Sequence, residues 1–307
     1  MEITNPETTE EDKLIKIRVL PETYEEFIGQ ERQKRLLIQL IEAARQRKEV
    51  ADSVLIVGAP GLGKSSLAQL VKKDMRCLLM TKVDEDLLNH FLSWYAQEHY
   101  LFFDEFHKFN RGVSEALCYY LDTNSVVIGY QPVEVPSATI IAATTQVGKV
   151  PQALFSRFGL VLHLDPYSIE DLCTILVRGA IKLDVDASQG AQMEVANRAR
   201  GNPRIALRYL KRLRDWSSSL DEAKAQRILS ELGIDALGLD ENDRRLLAAI
   251  RKFNGGPVGL STLAAYMNEA PETIANLYEP YLIQNGFLIR TSKGRILTAK
   301  GIHYDAA

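Results

Sequence analysis

Few of the features that mark an oxidised, membrane-bound or fibrous protein are present in this chain of 307 residues. It has only three cysteines, Cys77, Cys118 and Cys173, widely spaced and without metal-ligand spacing, which argues against a disulfide framework or a zinc site. No apolar run approaches the length needed to span a bilayer. Residues Met1 to Asp12 are acidic and polar, without the basic and then apolar order of a signal peptide. These absences predict a protein of the reducing cytoplasm, with no membrane partner and a disordered acidic tail over residues 1–17. There is no excess of positive charge either. The net charge of −3 excludes a uniformly basic nucleic-acid coat but leaves room for a local basic face. Internal repeats and low-complexity tracts are also missing. What is present is 46% hydrophobic residues, ample for two or three compact modules with cores of their own.

The strongest positive signal is Gly58-Ala59-Pro60-Gly61-Leu62-Gly63-Lys64-Ser65, a full match to the phosphate-cradling loop G-x-x-x-x-G-K-[ST]. Ser53 to Val57 before it reads as a buried strand, and Ser66 to Val71 after it begins a helix. In that context the glycines bend the backbone until its N–H groups and the helix start face a polyphosphate. Lys64 is expected to reach the β- and γ-phosphates of ATP, and the Ser65 hydroxyl to hold Mg²⁺.

From residue 18 to Tyr167, helical stretches alternate with short apolar strands, predicted at Val54–Val57, Tyr100–Phe103, Thr139–Ala142 and Leu160–Leu164. That alternation describes an α/β domain with a parallel sheet covered by helices. From residues 168 to 236 strand signals vanish, and helices near Ile169–Leu176, Ala191–Ala199 and Pro203–Arg214 predict a small all-helical domain. Gly233 to Gly238 reads as a linker. Residues 237–307 begin with Asp240 capping the helix Glu241–Phe253, and two shorter helices follow from about Ser261 and Pro271. Leu288–Arg290 and Arg295–Thr298 flank Thr291 to Gly294 as a β-hairpin, completing a winged helix-turn-helix pattern.

Leu101-Phe102-Phe103-Asp104-Glu105 is an apolar strand that ends in two carboxylates. Downstream of the phosphate loop, Asp104 is expected to hold Mg²⁺ and Glu105 to act as general base toward the attacking water. Thr144 and Thr145 end another strand; they are either γ-phosphate-facing hydroxyls or a simple strand-end turn. Arg157 lies between Phe155 and Phe158, where it is either a cation packed on rings or a finger that enters a neighbouring subunit's nucleotide site. Arg204, one residue after Pro203 at a helix start, is either a surface charge or a γ-phosphate contact. From Arg198 to Arg214 the chain holds Arg198, Arg200, Arg204, Arg208, Lys211, Arg212 and Arg214 with no acid, which is ordinarily a solvated face. A nucleotide contact and an inter-subunit surface are the competing readings.

The order of the phosphate loop, Asp104-Glu105-Phe106-His107, Ala143-Thr144-Thr145, Ser156-Arg157-Phe158-Gly159, Gly201-Asn202-Pro203-Arg204 and a winged helix resembles the AAA+ ATPases. More narrowly, Gly255-Gly256-Pro257-Val258-Gly259-Leu260 and Tyr278-Glu279-Pro280-Tyr281-Leu282-Ile283-Gln284 are similar to the RuvB family of Holliday-junction branch-migration motors. The resemblance covers nearly the whole chain after the acidic tail. It implies an ATPase that assembles into a ring, a hexamer, around double-stranded DNA and migrates four-way junctions in recombination and repair. It also implies Arg157 as the arginine finger acting in trans, Arg204 as second sensor, and Thr144 or Thr145 as first sensor. Ile28 and Gly29 would lie at the adenine with Tyr167 and Pro203, beside loop residues Gly58, Pro60, Gly61, Leu62, Gly63 and Ser66. Arg290 and Arg295 would meet DNA on a hairpin that also holds Lys293.

The departures from the family pattern are specific. Leu20 stands where an Arg is expected, Pro271 stands where a basic DNA contact is expected, and residues 122–138 are shortened where the family docks its RuvA partner. A second reading follows from them: an ATP-gated DNA-binding or assembly protein that switches partners without processive movement.

Overall fold

The computed structural model describes residues 20–71, 76–80, 88, 89, 92 and 99–304. The acidic tail expected over residues 1–17 lies outside the described residues. The chain divides into two compact units, one of Leu20–Tyr167 and one that runs from Ser168.

The first unit contains α1 (Glu31–Arg47), β1 (Val54–Val57), α2 (Lys64–Leu70), β2 (Arg76–Met80), β3 (His99–Phe103), α3 (Arg111–Thr123), β4 (Ser125–Ile128), β5 (Gln131–Glu134), β6 (Thr139–Thr144), α4 (Gln152–Phe155) and β7 (Leu160–His163). Its main sheet is fully parallel, in the order β2-β3-β6-β1-β7. Every residue of β1 and β6 is buried, as expected of strands covered on both faces, which read as unbroken apolar runs instead of alternating ones. Each fully buried Leu or Ile in them contributes about 1.5–3 kcal/mol, so the strand ends are held firmly. Val57 pairs with both Thr144 and His163, and Phe103 with Ala142. The carboxyl ends of β1, β3 and β6 therefore meet at one edge of the sheet, where open parallel sheets bind ligands. β2 is not among the strands that the sequence pattern predicts. Arg-Cys-Leu-Leu-Met is a weak strand pattern, and pairing with β3 decides its state.

β4 and β5 form an antiparallel hairpin beside the main sheet, with Ile128 opposite Gln131. Gly129 and Tyr130, both at positive φ (56° and 67°), make the two-residue turn whose twist suits a hairpin.

The second unit begins with α5 (Ile169–Leu183), β8 (Asp186–Ala187), α6 (Gln189–Arg198), α7 (Pro203–Trp216), β9 (Ser219–Leu220) and α8 (Glu222–Glu231). Each helix start is written in the sequence. Ser168, Ser188, Asn202 and Asp221 each accept a hydrogen bond from a first-turn N–H, and Pro203 takes the first position of α7. The stretch is not free of strands, because β8 and β9 pair in parallel. Two-residue strands are too short to leave a periodic signal.

α9 (Glu241–Lys252) follows, started by a capping box between Asp240 and Asp243. Then come α10 (Leu260–Met267), α11 (Pro271–Thr273), a π-helical turn (Ile274–Tyr278), α12 (Glu279–Gln284), the hairpin β10 (Leu288–Thr291) and β11 (Gly294–Leu297), and α13 (Ala299–Ile302). Their shared core includes Leu246, Ile250, Leu263, Tyr278, Leu282 and Phe287.

Two expectations are corrected in this unit. Gly233 to Gly238 is not a loose linker: a Cβ on Gly238 (φ 74°) would stand 2.5 Å from the Arg198 carbonyl oxygen, and Asp235 accepts the N–H groups of Leu237 and Leu239. The arginine run is not a wholly solvated face, because Arg198, Arg200 and Arg208 are turned inward. Arg198 donates to Ile234 O at 2.7 Å and pairs with Glu194. Arg200 donates to Gly238 O at 2.7 Å, pairs with the buried Asp243 and stacks 4.3 Å from the Tyr281 ring. Glu194, one helical turn before Arg198, and the distant Asp243, invisible to a local charge count, provide the compensation.

Candidate functional site

The turn from β1 into α2 is clamped by its neighbours. Gly58 N donates to Thr144 O at 3.3 Å, and Tyr167 Oη donates to Leu62 O at 3.2 Å. Gly63 sits at φ 95°, and a Cβ there would meet the Phe27 ring at 3.2 Å and Tyr167 Oη at 3.3 Å. Both the backbone conformation and the available space therefore require glycine. Lys64 is buried, and its ammonium donates to Gly58 O at 2.8 Å and Ala59 O at 3.0 Å within the curve of the loop. Pro60, Gly61 and Leu62 form the crest of that curve, and Ser66 follows in the first turn of α2.

The end of β3 brings the acids to this loop. Ser65 Oγ donates to Asp104 Oδ2 at 2.8 Å across 39 residues of sequence. A hydroxyl and a carboxylate in contact are hard oxygen donors, the class that suits Mg²⁺ held jointly with substrate phosphates. No group of three or more His, Cys, Asp or Glu side chains among the described residues forms an all-protein metal cage.

Glu105 N donates to Asp104 Oδ1 at 3.0 Å, and Glu105 itself adopts the left-handed conformation, φ 50°. That conformation is uncommon for a glutamate and recurs at functional sites. Its carboxylate accepts from Thr145 Oγ1 at 3.1 Å and lies 3.4 Å from His107 Nδ1. His107 Nδ1 also lies 3.2 Å from Thr144 Oγ1, which accepts from Gln146 N. Burial, aided by the cations Lys108, Lys149 and Lys64, pulls the His107 imidazole below its ordinary pKa against the opposing effect of Glu105. Thr144 is fully buried and engaged with this histidine, whereas Thr145 is the hydroxyl in contact with Glu105. The sequence pattern assigns His107 no role, since its only signal is its position two residues after Glu105.

Ile28 and Gly29 directly follow Phe27, whose ring packs at Gly63 and whose carbonyl accepts from Lys34 at 2.7 Å. Phe27 and Tyr167 therefore border the phosphate loop. Pro203 and Arg204 open α7 in the second unit, where Asn202 Oδ1 accepts from Arg204 N at 3.0 Å.

Arg157 is anchored by Asp122 and by the backbone of α4. Its Nε and Nη2 donate to the two carboxylate oxygens of Asp122 at 2.8 and 2.5 Å, and Nη1 donates to Ala153 O. The guanidinium holds the Asp122 carboxyl below the usual range. Phe158 packs edge-on against Phe106, with ring centroids 6.0 Å apart, and Phe106 in turn meets Phe103 of β3.

On the second unit, Arg290 and Arg295 face each other across the β10–β11 ladder. Both are bound by Glu279, which is fully buried: Arg290 Nε donates at 2.5 Å and Arg295 Nε at 2.6 Å. Lys293 stands exposed at the turn, and Lys300 donates to Asn285 O and sits 4.3 Å over the Phe287 ring. Neither Glu279 nor Asp122 stands out in the sequence, because their partners lie 11 to 35 residues away.

Family models match in three consecutive stretches: the Holliday junction DNA helicase RuvB P-loop domain over residues 19–164, the RuvB AAA lid domain over 167–240 and the RuvB C-terminal winged helix domain over 236–305. The Holliday junction branch migration complex subunit RuvB of Koribacter versatilis is 40% identical over 317 aligned residues, covering 96% of this chain and 87% of the relative. That of Rubrobacter xylanophilus is 38% identical, covering 96% and 88%. The Thermotoga maritima RuvB Holliday junction branch migration motor superposes with a TM-score of 0.83 at 36% identity, covering 94% of this chain and 99% of that one.

Proposed function

The chain belongs to the RuvB family of Holliday junction DNA helicases, and from that membership we propose that it is the ATP-hydrolysing motor of a branch-migration complex. In this proposal it works as a ring, a hexamer, on double-stranded DNA at four-way junctions. The contact between Ser65 and Asp104 carries the proposal, because it joins the phosphate loop to the strand that ends in the acids.

In the proposed chemistry Lys64 meets the β- and γ-phosphates of ATP, and the loop N–H groups bind the remaining phosphate charge. Ser65 and Asp104 hold Mg²⁺, which when bound spreads the charge of the phosphate oxygens. Glu105 takes a proton from the attacking water, its carboxylate steadied by Thr145 and flanked by His107. Thr144 sets the position of His107. Ile28, Gly29 and Tyr167 accommodate the base. Arg157 belongs to a neighbour's site: its engagement with Asp122 supports a role outside its own loop.

Two surfaces support the wider assembly. The β4–β5 hairpin exposes Val127, Val133 and the whole of Tyr130, an apolar projection of the kind a RuvA-like protein partner would cover. On the winged helix the exposed Lys293 and the half-exposed Arg290 are suited to DNA phosphates, while Arg295 is drawn inward by Glu279.

The test compares ATP hydrolysis with strand movement on a synthetic four-way junction, with and without a RuvA partner. Glu105→Gln is expected to keep nucleotide binding and lose turnover by roughly 10²–10⁴-fold, together with junction movement. Hydrolysis by the unaltered protein with no movement under either condition would replace the motor by the ATP-gated binding protein.

A further inference from the structure

We infer that Asp122 is a positioning residue for the arginine finger, fixing the Arg157 guanidinium by one edge and leaving its other edge for a phosphate oxygen on the neighbouring subunit. The inference rests on the proposed trans role of Arg157.

A planar guanidinium offers five N–H donors in a fixed fork. Among the described residues three are used: Nε and Nη2 on Asp122, and one hydrogen of Nη1 on Ala153 O. Two hydrogens remain, one on each terminal nitrogen, and these are the pair that can grip a phosphate. The Arg157 backbone is fixed as well. Its N–H donates to Leu154 O at 3.1 Å, and the next residue, Phe158, is buried in the aromatic cluster. With backbone and side chain both held, the finger is presented in one orientation, and less rotamer freedom is lost when it meets the nucleotide.

The location of Asp122 points the same way. It occupies the last turn of α3, where the carbonyl ends of the helix disfavour a carboxylate. An acid is tolerated there because a cation meets it, and Asp122 contacts both Nε and Nη2 of Arg157. A negative charge beside the guanidinium also limits its attraction for stray anions while leaving the phosphate-gripping edge open.

Mixed rings provide the test. Arg157→Ala subunits keep a complete catalytic site but give no finger, and Glu105→Gln subunits give a finger but do not hydrolyse. Turnover in the mixture arises where the first kind of site meets the second kind of finger. Asp122→Asn added to the Glu105→Gln copy is expected to lower kcat roughly tenfold, the scale of losing preorganisation of one arginine, with KM for ATP held within about twofold. Asp122→Glu in the same copy is expected to restore most of the loss. An equal fall when Asp122→Asn is instead placed in the Arg157→Ala copy would reveal a merely structural role and overturn the inference. An unchanged or raised kcat from the finger-donating copy would overturn it too, the raised value marking Asp122 as a restraint on the finger. Mixtures that hydrolyse no faster than either copy alone remove the trans finger itself, and the positioning role with it.

Discussion

Replacing Glu279 by alanine should loosen the winged helix by several kcal/mol, about 3–5 for one member of a buried ion pair. Glu279 opens α12 directly after the π-helical turn, is fully buried, and receives Arg290 Nε at 2.5 Å, Arg295 Nε at 2.6 Å and Arg295 Nη2 at 3.2 Å. Arg295 keeps only 15% of its side chain exposed, so water cannot take over the role of the lost carboxylate. The two guanidinium-bearing residues are direct cross-strand partners, and without the acid their like charges would stand opposed. Hydrogen exchange in the full chain reads the loss locally: amide protection across residues 274–297 should fall by about a hundredfold to a few thousandfold. Removing Arg295 as well should cost less than the sum of the two single changes, since the second step deletes the charge left unpaired by the first. A loss under about 1 kcal/mol from Glu279→Ala, or simple additivity in the double variant, would show that the carboxylate does not hold the wing to the helix.

Three further outcomes rest on the same geometry. His107 has a folded pKa below its unfolded value, so the unfolded chain binds more protons on acidification. Stability is undiminished above about pH 6.5 and falls as pH drops from there toward the lowered folded value; His107→Asn should flatten that slope in pH-dependent denaturation, and an unchanged slope would refute the assignment. Gly63→Ala forces a side chain onto φ 95° against Phe27 and Tyr167, at a cost of about 1–2 kcal/mol; fluorescent-nucleotide titration should show roughly tenfold weaker binding, and unaltered affinity would refute it. Lys293→Ala should weaken DNA binding evenly across sequences and reduce the salt-dependence slope by about one; a sequence-selective loss would show base contact instead of phosphate contact.

Features that depend on neighbours in sequence are legible in the chain alone. The phosphate loop, the strand ending in Asp104 and Glu105, and the capping residues Ser168, Asn202 and Asp240 are local devices. Each acts on a backbone group within a few residues, so its spacing is its meaning. The winged hairpin is legible for the same reason, through its turn residues Thr291 to Gly294.

Tertiary structure decided what depends on charge meeting charge across the fold. Composition marks Arg198 to Arg214 as an exposed cationic run, yet Asp243 and the carbonyls of Ile234 and Gly238 draw Arg198 and Arg200 inward. The sequence offers Arg157 as a ring-packed cation or a finger and Arg290 and Arg295 as DNA contacts, and folding brings Asp122 to the first and Glu279 to the other two. A long flexible side chain has no fixed direction in sequence, and its electrostatic state is set by whichever acid the fold places within about 4 Å. The sequence by itself therefore determined which chemistry this protein performs. The structure decided which of its charges are available to perform it.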